Sequence, residues 1–218
     1  MLTAKLMAMR IIAAIAVRND WELKQTDVDM AYLNASLKEN IYMREIKGFK
    51  VPSQEDNVIH LKQAIYRLRQ TGHEWYEDLM STLTNVGFQR CKVEQAMFYQ
   101  FDKDATILVV DVDNITITGN SPRAIKQFKD NLSLRYSIKY IGSLQWLLGI
   151  GIERDREKRT ISFSQTTYIQ MIIECFRMEE AKPLPVPLNP GHNLSKSQLP
   201  SDPQEIEEMR CIPYREAI

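Results

Sequence analysis

The stretch Val109-Val110-Asp111-Val112-Asp113-Asn114-Ile115-Thr116-Ile117-Thr118-Gly119 constrains the fold more than any other. An apolar strand meets acidic residues at a sharp reversal and returns as a second β-branched strand, so the two lie antiparallel as a ribbon. Carboxylates gathered at the tip of a hairpin are costly unless something cationic shares the site. The pattern therefore points to a divalent-metal site at a β-turn. A second acidic run, Gln25-Thr26-Asp27-Val28-Asp29, lies far upstream. Trp21 to Asp29 reads as a strand entering a turn, with Leu23, Gln25 and Asp27 on one face.

Periodicity supplies the remaining elements. Residues 3 to 18 read as a helix, since Leu6, Met9, Ala13 and Ala16 recur at spacings of three and four. Ala31 to Leu37 reads as a short helix, and Asn40 to Glu45 and Asn57 to Leu61 as strands, with a polar loop from Gly48 to Asp56 between them. Ala64 to Val86 reads as a long helix closed by Gly87. Strands follow over Met97 to Phe101, Thr106 to Val112 and Ile115 to Thr118. Ser121-Pro122 begins a helix through Tyr136, with serine as N-cap and proline at the first helical position. Leu144 to Ile152 and Thr160 to Ser164 form a strand ribbon, and Gln165 to Phe176 an amphipathic helix. Prolines from 183 to 203 mark an extended linker, after which 203 to 218 reads as the start of a further helix. Helices and hairpins in this order predict an α+β domain, an antiparallel sheet with helices on one face.

Composition narrows the class. No run of about 20 apolar residues exists, so no membrane span is expected. Lys5 and Arg10 interrupt the apolar N-terminal stretch, which argues against a signal peptide. Cys91, Cys175 and Cys211 are odd in number and widely spaced, which reads as unpaired thiols in an intracellular protein. His60, His73 and His192 have no metal-ligand spacing with any cysteine. Lys plus Arg and Asp plus Glu are equal at 28 each, so the chain lacks the net positive charge common in proteins that track phosphates.

Two-metal phosphoryl transfer needs carboxylates from separate strands converging on ions roughly 4 Å apart. Asp27 at a strand end and Asp113 at a hairpin tip have that character. Either one alone reads as a solvated turn aspartate; the two in matching contexts read as a pair.

The motifs around them resemble those of copia-type retrotransposon reverse transcriptases. Thr26-Asp27-Val28-Asp29-Met30-Ala31-Tyr32-Leu33 resembles the family's L-D-V-x-x-A-F-L. Ile65-Tyr66-Arg67-Leu68-Arg69-Gln70-Thr71-Gly72-His73-Glu74-Trp75 resembles L-Y-G-L-K-Q-A-P-R-A-W, with Arg67 where the family has glycine. Asp111-Val112-Asp113-Asn114 resembles Y-V-D-D, with Asn114 replacing the second aspartate and Asp111 the tyrosine. Similar segments continue through Trp146-Leu147-Leu148-Gly149-Ile150, Ser164 to Ile169 and Pro213 to Ile218.

The resemblance implies a reverse-transcriptase palm with part of a thumb over 1–181, a linker over 182–202, and over 203–218 the start of the connection toward ribonuclease H. Most of the fingers are expected to lie outside the chain. It implies a fragment of a Pol polyprotein whose activity is RNA-directed DNA polymerisation, with two Mg²⁺ ions, deoxynucleoside triphosphates and an RNA or DNA template-primer. Asp27 and Asp113 would hold the ions with the Val28 carbonyl, and Asn114 would stand in the third ligand position. Tyr32 would exclude a 2′-hydroxyl, and Gln70 would lie near template and nucleotide. Arg67, filling a glycine's space beside the nucleotide, and Asn114 imply weak or absent synthesis. Asp111 points to the same face as Asp113 and is conceivable as a compensating ligand. A second reading stays open: a non-catalytic nucleic-acid-binding or host-adopted interaction module.

Overall fold

Nothing in Thr106 to Val110 is polar except the first residue, and all five are buried whichever way they face. A strand of that kind needs cover on both sides of its sheet. The computed structural model describes residues 3–44, 46, 48, 58–182, 184–185, 191 and 195–210. Most of the polar loop, His192, Cys211, the 213–218 segment and part of the proline run lie outside the described residues.

The strands are β1 (Glu22–Val28), β2 (Ser36–Arg44), β3 (Val58–Gln63), β4 (Gln89–Arg90), β5 (Met97–Phe101), β6 (Ala105–Asp111), β7 (Asn114–Gly119), β8 (Ile138–Ser143), β9 (Trp146–Leu147), β10 (Ile150–Asp155) and β11 (Thr160–Ser164). The α-helices are α1 (Leu6–Arg18), α2 (Ala31–Asn34), α3 (Thr71–Asn85), α4 (Pro122–Ser133), α5 (Thr166–Cys175) and α6 (Pro203–Arg210). Six strands form one antiparallel sheet in the order β4-β5-β6-β7-β1-β8. Strands β2 and β3 pair separately, and β9 to β11 form a third sheet.

Contacts divide the chain into two units, Met1–Leu147 with Ile152–Phe163, and Leu148–Gly151 with Ser164–Ile218. In the first unit, Trp75, Leu79 and Leu83 of α3 and Ile125, Phe128 and Leu132 of α4 pack with Leu108, Val110, Ile115 and Ile117. Met9, Ile12, Ala13 and Ala16 of α1 pack instead with Leu23, Ile107 and Val109. Helices therefore cover both faces of the six-stranded sheet, not one face as expected. The physical reason is the uninterrupted burial of β6 and β7, which leaves neither face to water. In the second unit, α5 and α6 contain no buried residue.

Several boundaries differ from those periodicity predicts. The helix expected from Ala64 begins at Thr71. Arg67 has φ +73°, which no α-helix accommodates, and the Thr71 hydroxyl donates to the Ile65 carbonyl at 2.7 Å across the bend. The helix expected over 31–37 stops at Asn34, and Ser36 already belongs to β2. The end of α3 follows its sequence signal. Gly87 has φ +99°, its N–H bonds to the Thr84 carbonyl, and the Phe88 N–H bonds to that of Leu83. Ser121 caps α4 through its Oγ, which accepts from the Ala124 N–H at 3.3 Å.

Candidate active site

Strands β6 and β7 close through a two-residue turn, Val112-Asp113, with Asp111 opposite Asn114. Valine occupies the left-handed region there, at φ +58°. For a β-branched residue that conformation costs on the order of 1–3 kcal/mol and persists only where its surroundings impose it. Two hydrogen bonds hold the turn. The Trp75 indole Nε1–H donates to the Val112 carbonyl at 2.7 Å. The Val28 N–H donates to the Asp113 carbonyl at 2.9 Å.

The neighbouring strand completes the arrangement. β1 runs antiparallel to β7 in a register that sets Asp27 opposite Asn114, and its other edge sets Asp27 opposite Lys139 of β8. Asp27 and the consecutive pair Asp113-Asn114, far apart in sequence, thus meet at one end of adjacent strands.

The electrostatics are repulsive. Burial raises the pKa of Asp27 above the usual carboxylate range, and the charges of Asp113 and Asp29 push it the same way against the opposing pull of Lys139. Burial also raises that of Asp111, with Asp113 adding to it, while the Ala4 N–H, donating to Oδ1 at 3.2 Å, works against the rise. The Tyr32 phenol is raised by burial and by the negative charges of Asp113 and Asp111. A group of carboxylates that resists ionising together is an oxygen-donor set that a divalent cation would relieve. Among the described residues no group of three or more His, Cys, Asp or Glu side chains is gathered as a metal site. Two carboxylates still fit a hard divalent ion, which commonly takes only one or two from protein and the rest from water and phosphate.

Asn114 sits between the two aspartates with both ends of its amide occupied. Its Oδ1 accepts from Gln25 Nε2 at 2.8 Å, and its Nδ2 donates to Asp113 Oδ1 at 3.2 Å. The oxygen expected in a third ligand position therefore faces Gln25. Val28 is almost wholly buried beneath the turn. Tyr32, on α2, meets Tyr66 edge-to-face at 5.0 Å and shares a small crevice with Trp75 and Val112. Gln70, at the start of α3, donates to Glu39 of β2 at 3.4 Å rather than to the acidic turn. Arg67 is exposed in the bend before α3.

Gln25 and Trp75 were not expected at the site. For Gln25 a signal existed, since period-two spacing already put it on the face of Asp27. Trp75 carried no local signal, because its bond to the turn spans 37 residues.

Residues 3–190 match the family described as reverse transcriptase (RNA-dependent DNA polymerase). The chain belongs to that family, in its copia-type retrotransposon branch. It is 31% identical over 216 residues to the retrovirus-related Pol polyprotein from transposon TNT 1-94 of Nicotiana tabacum, covering 98% of this chain and 16% of that protein. It is 34% identical over 189 residues to the Pol polyprotein from transposon RE1 of Arabidopsis thaliana, covering 86% and 13%. It is 29% identical over 213 residues to the transposon Ty1-GR1 Gag-Pol polyprotein of Saccharomyces cerevisiae, covering 92% and 11%. The chain thus spans between 11% and 16% of the length of these relatives. No solved structure matches it. No described helix is long and apolar enough to cross a membrane.

Proposed function

We propose that this chain is the palm-bearing segment of a retrotransposon Pol polyprotein, built for RNA-directed DNA synthesis and impaired in it. The observation that carries the reading is the β1–β7 register, which sets Asp27 against Asn114 beside the Asp113 turn. Asp27 and Asp113 hold two Mg²⁺ ions, with the Val28 carbonyl as a further oxygen donor. Those ions, when bound, supply activation of the primer 3′-hydroxyl and neutralisation of the incoming triphosphate. Tyr32 lies under the nucleotide sugar and excludes a 2′-hydroxyl. Gln70 contacts template and nucleotide. Metal ligation needs the Asp27 carboxylate, and burial with the neighbouring negative charges opposes that charge until a cation offsets it.

Asn114 and Arg67 set the impairment. An amide at 114 removes one negative charge from the ion cluster, a loss of roughly a thousandfold in rate if it withdraws about 4 kcal/mol of transition-state stabilisation. The 114 oxygen is also committed to Gln25. That commitment favours, as the second reading, a module that binds nucleic acid without extending it.

Primer extension on a homopolymer template with Mg²⁺ or Mn²⁺ is the test. The expected result is little or no extension by the natural chain. Robust extension defeats the impairment. Salt-sensitive binding of primer-template by a chain that the 67 and 114 reversions fail to revive favours the second reading.

A further inference from the structure

Valine avoids the left-handed region because its branched side chain crowds the backbone. Val112 occupies that region at the first position of the turn carrying Asp113. The neighbour that imposes it is Trp75, whose indole N–H reaches the Val112 carbonyl oxygen. Trp75 is only 2% exposed, and Tyr136 meets its ring edge-to-face at 5.2 Å. Tyr136 is itself fixed, since its hydroxyl donates to Asp78 Oδ2 at 2.7 Å and lies 2.8 Å from the Thr82 hydroxyl. The indole therefore cannot swing away without breaking a buried network. Its bond fixes the peptide plane between Val112 and Asp113, because that unit is rigid. On the far side of Asp113, the carbonyl is fixed by Val28. With both flanking planes held, the direction in which the Asp113 Cα–Cβ bond leaves the backbone is set.

We propose that Trp75 is the positioning residue of the acidic turn: its indole N–H holds Val112 in the left-handed conformation and so keeps Asp113 beside Asp27. The purpose of this device rests on the reading of Asp27 and Asp113 as metal ligands; its geometry does not. Phenylalanine at 75 would fill the same space and leave the Val112 carbonyl without its donor. Glycine at 112 would take the left-handed conformation unaided.

The test compares Trp75→Phe with the double variant Trp75→Phe/Val112→Gly in the full chain. Hydrogen exchange is followed at the Val28 amide, which reports the turn, and at Leu108 and Ile117, which report the sheet. In Trp75→Phe, Val28 exchange is expected to accelerate about tenfold while the two sheet amides hold. Affinity for Mn²⁺, measured by titration calorimetry, is expected to fall about tenfold alongside. In the double variant both return to within about threefold of the natural chain, a rescue that a mere packing role for the ring does not predict. Val28 exchange unchanged within about twofold in Trp75→Phe overturns the assignment, as does a loss that glycine at 112 leaves in place. Should Mn²⁺ bind none of the three proteins, the natural chain included, while exchange follows the expected pattern, the metal reading fails and the positioning role stands.

Discussion

At Asp27 the balance of forces is legible in a single side chain. Burial and the negative charges of Asp113 and Asp29 raise its pKa, and Lys139 only partly opposes them. A folded-state pKa raised above the unfolded one means that the fold binds the proton more tightly. The associated stability is fully present below the ordinary carboxylate range and is lost as pH rises through the raised value. Asp27→Asn is therefore expected to be more stable than the natural chain at pH 7, with the gap closing as pH falls toward 3.5. Urea denaturation at both pH values measures it, and a gap that persists at the acid end would rule out charge as the cause. Arg67 carries a different kind of strain. Its φ of +73° is a glycine conformation, and glycine is what the family motif has there. The role first given to that glycine, leaving room beside the nucleotide, is joined by a backbone reason. Arg67→Gly is expected to stabilise the chain by about 1 kcal/mol, less the extra freedom glycine has when unfolded. The midpoint in a thermal melt should rise, by less than the roughly 2–4 °C that a full 1 kcal/mol would give.

Between elements, α3 and the chain leaving α4 are joined by one buried phenol. The Tyr136 hydroxyl meets Asp78 and Thr82 of α3, Arg135 Nε donates to it at 3.2 Å, and Asp78 also pairs with Arg135. Burial raises the Tyr136 pKa to about 12, and Asp78 pushes it the same way. The stability tied to its proton is complete below the ordinary value near 10 and is lost as pH climbs through about 12. Tyr136→Phe is expected to lose about 1–2 kcal/mol at pH 7, through a hydrogen bond to a charged partner, and to flatten the decline on the alkaline side. Chemical denaturation at pH 7 and pH 11 reads both effects; an unaltered alkaline decline would assign it to another group. Elements with strong local signals could be read directly from the sequence: α1 from its apolar spacing, α4 from Ser121-Pro122, the end of α3 from Gly87. Elements set by tertiary context could not. β8 is an edge strand mostly open to water, so its residues show no alternation, and a register shift opposite Gln25 and Thr26 further breaks its pattern. The first turns of the predicted long helix, 64–70, fail because Arg67 looks helix-compatible and only its backbone angle shows otherwise. At the site, the meeting of residues 27 and 113 was readable because one lies near a strand end and the other at a hairpin tip; the commitment of Asn114 to Gln25 was not, since it depends on the register between β1 and β7.

Across the whole chain the positive and negative side chains balance at 28 each, yet the acidic end of the sheet is locally unbalanced. Asp27, Asp111 and Asp113 gather there around Asn114, with Lys139 opposite Asp27 in register. An amide at 114 suits such an end when no cation is bound. It adds no charge, donates to Asp113 and accepts from Gln25. An aspartate at 114 would keep the bond from Gln25, lose the donation to Asp113 and add a negative charge beside three others. Asn114→Asp is therefore expected to lower the stability of the metal-free chain by about 1 kcal/mol at low salt. Millimolar Mg²⁺ should return that loss and more, because a ligand that binds only the folded state stabilises it by mass action. The natural chain, with one carboxylate fewer, should gain less from the same addition. Combined with Arg67→Gly, the substitution should raise primer extension at least about tenfold over the natural chain, which corresponds to about 1.4 kcal/mol of recovered barrier. Thermal melts with Mg²⁺ and with chelator, run beside the extension assay, separate the possible outcomes. A cation-dependent gain in stability without synthesis would leave a sound metal site in a chain that fails elsewhere. If Asn114→Asp matches the natural chain in stability and stays indifferent to Mg²⁺, then the acidic end of this sheet does not hold metal, and the polymerase reading of Asp27 and Asp113 falls with it.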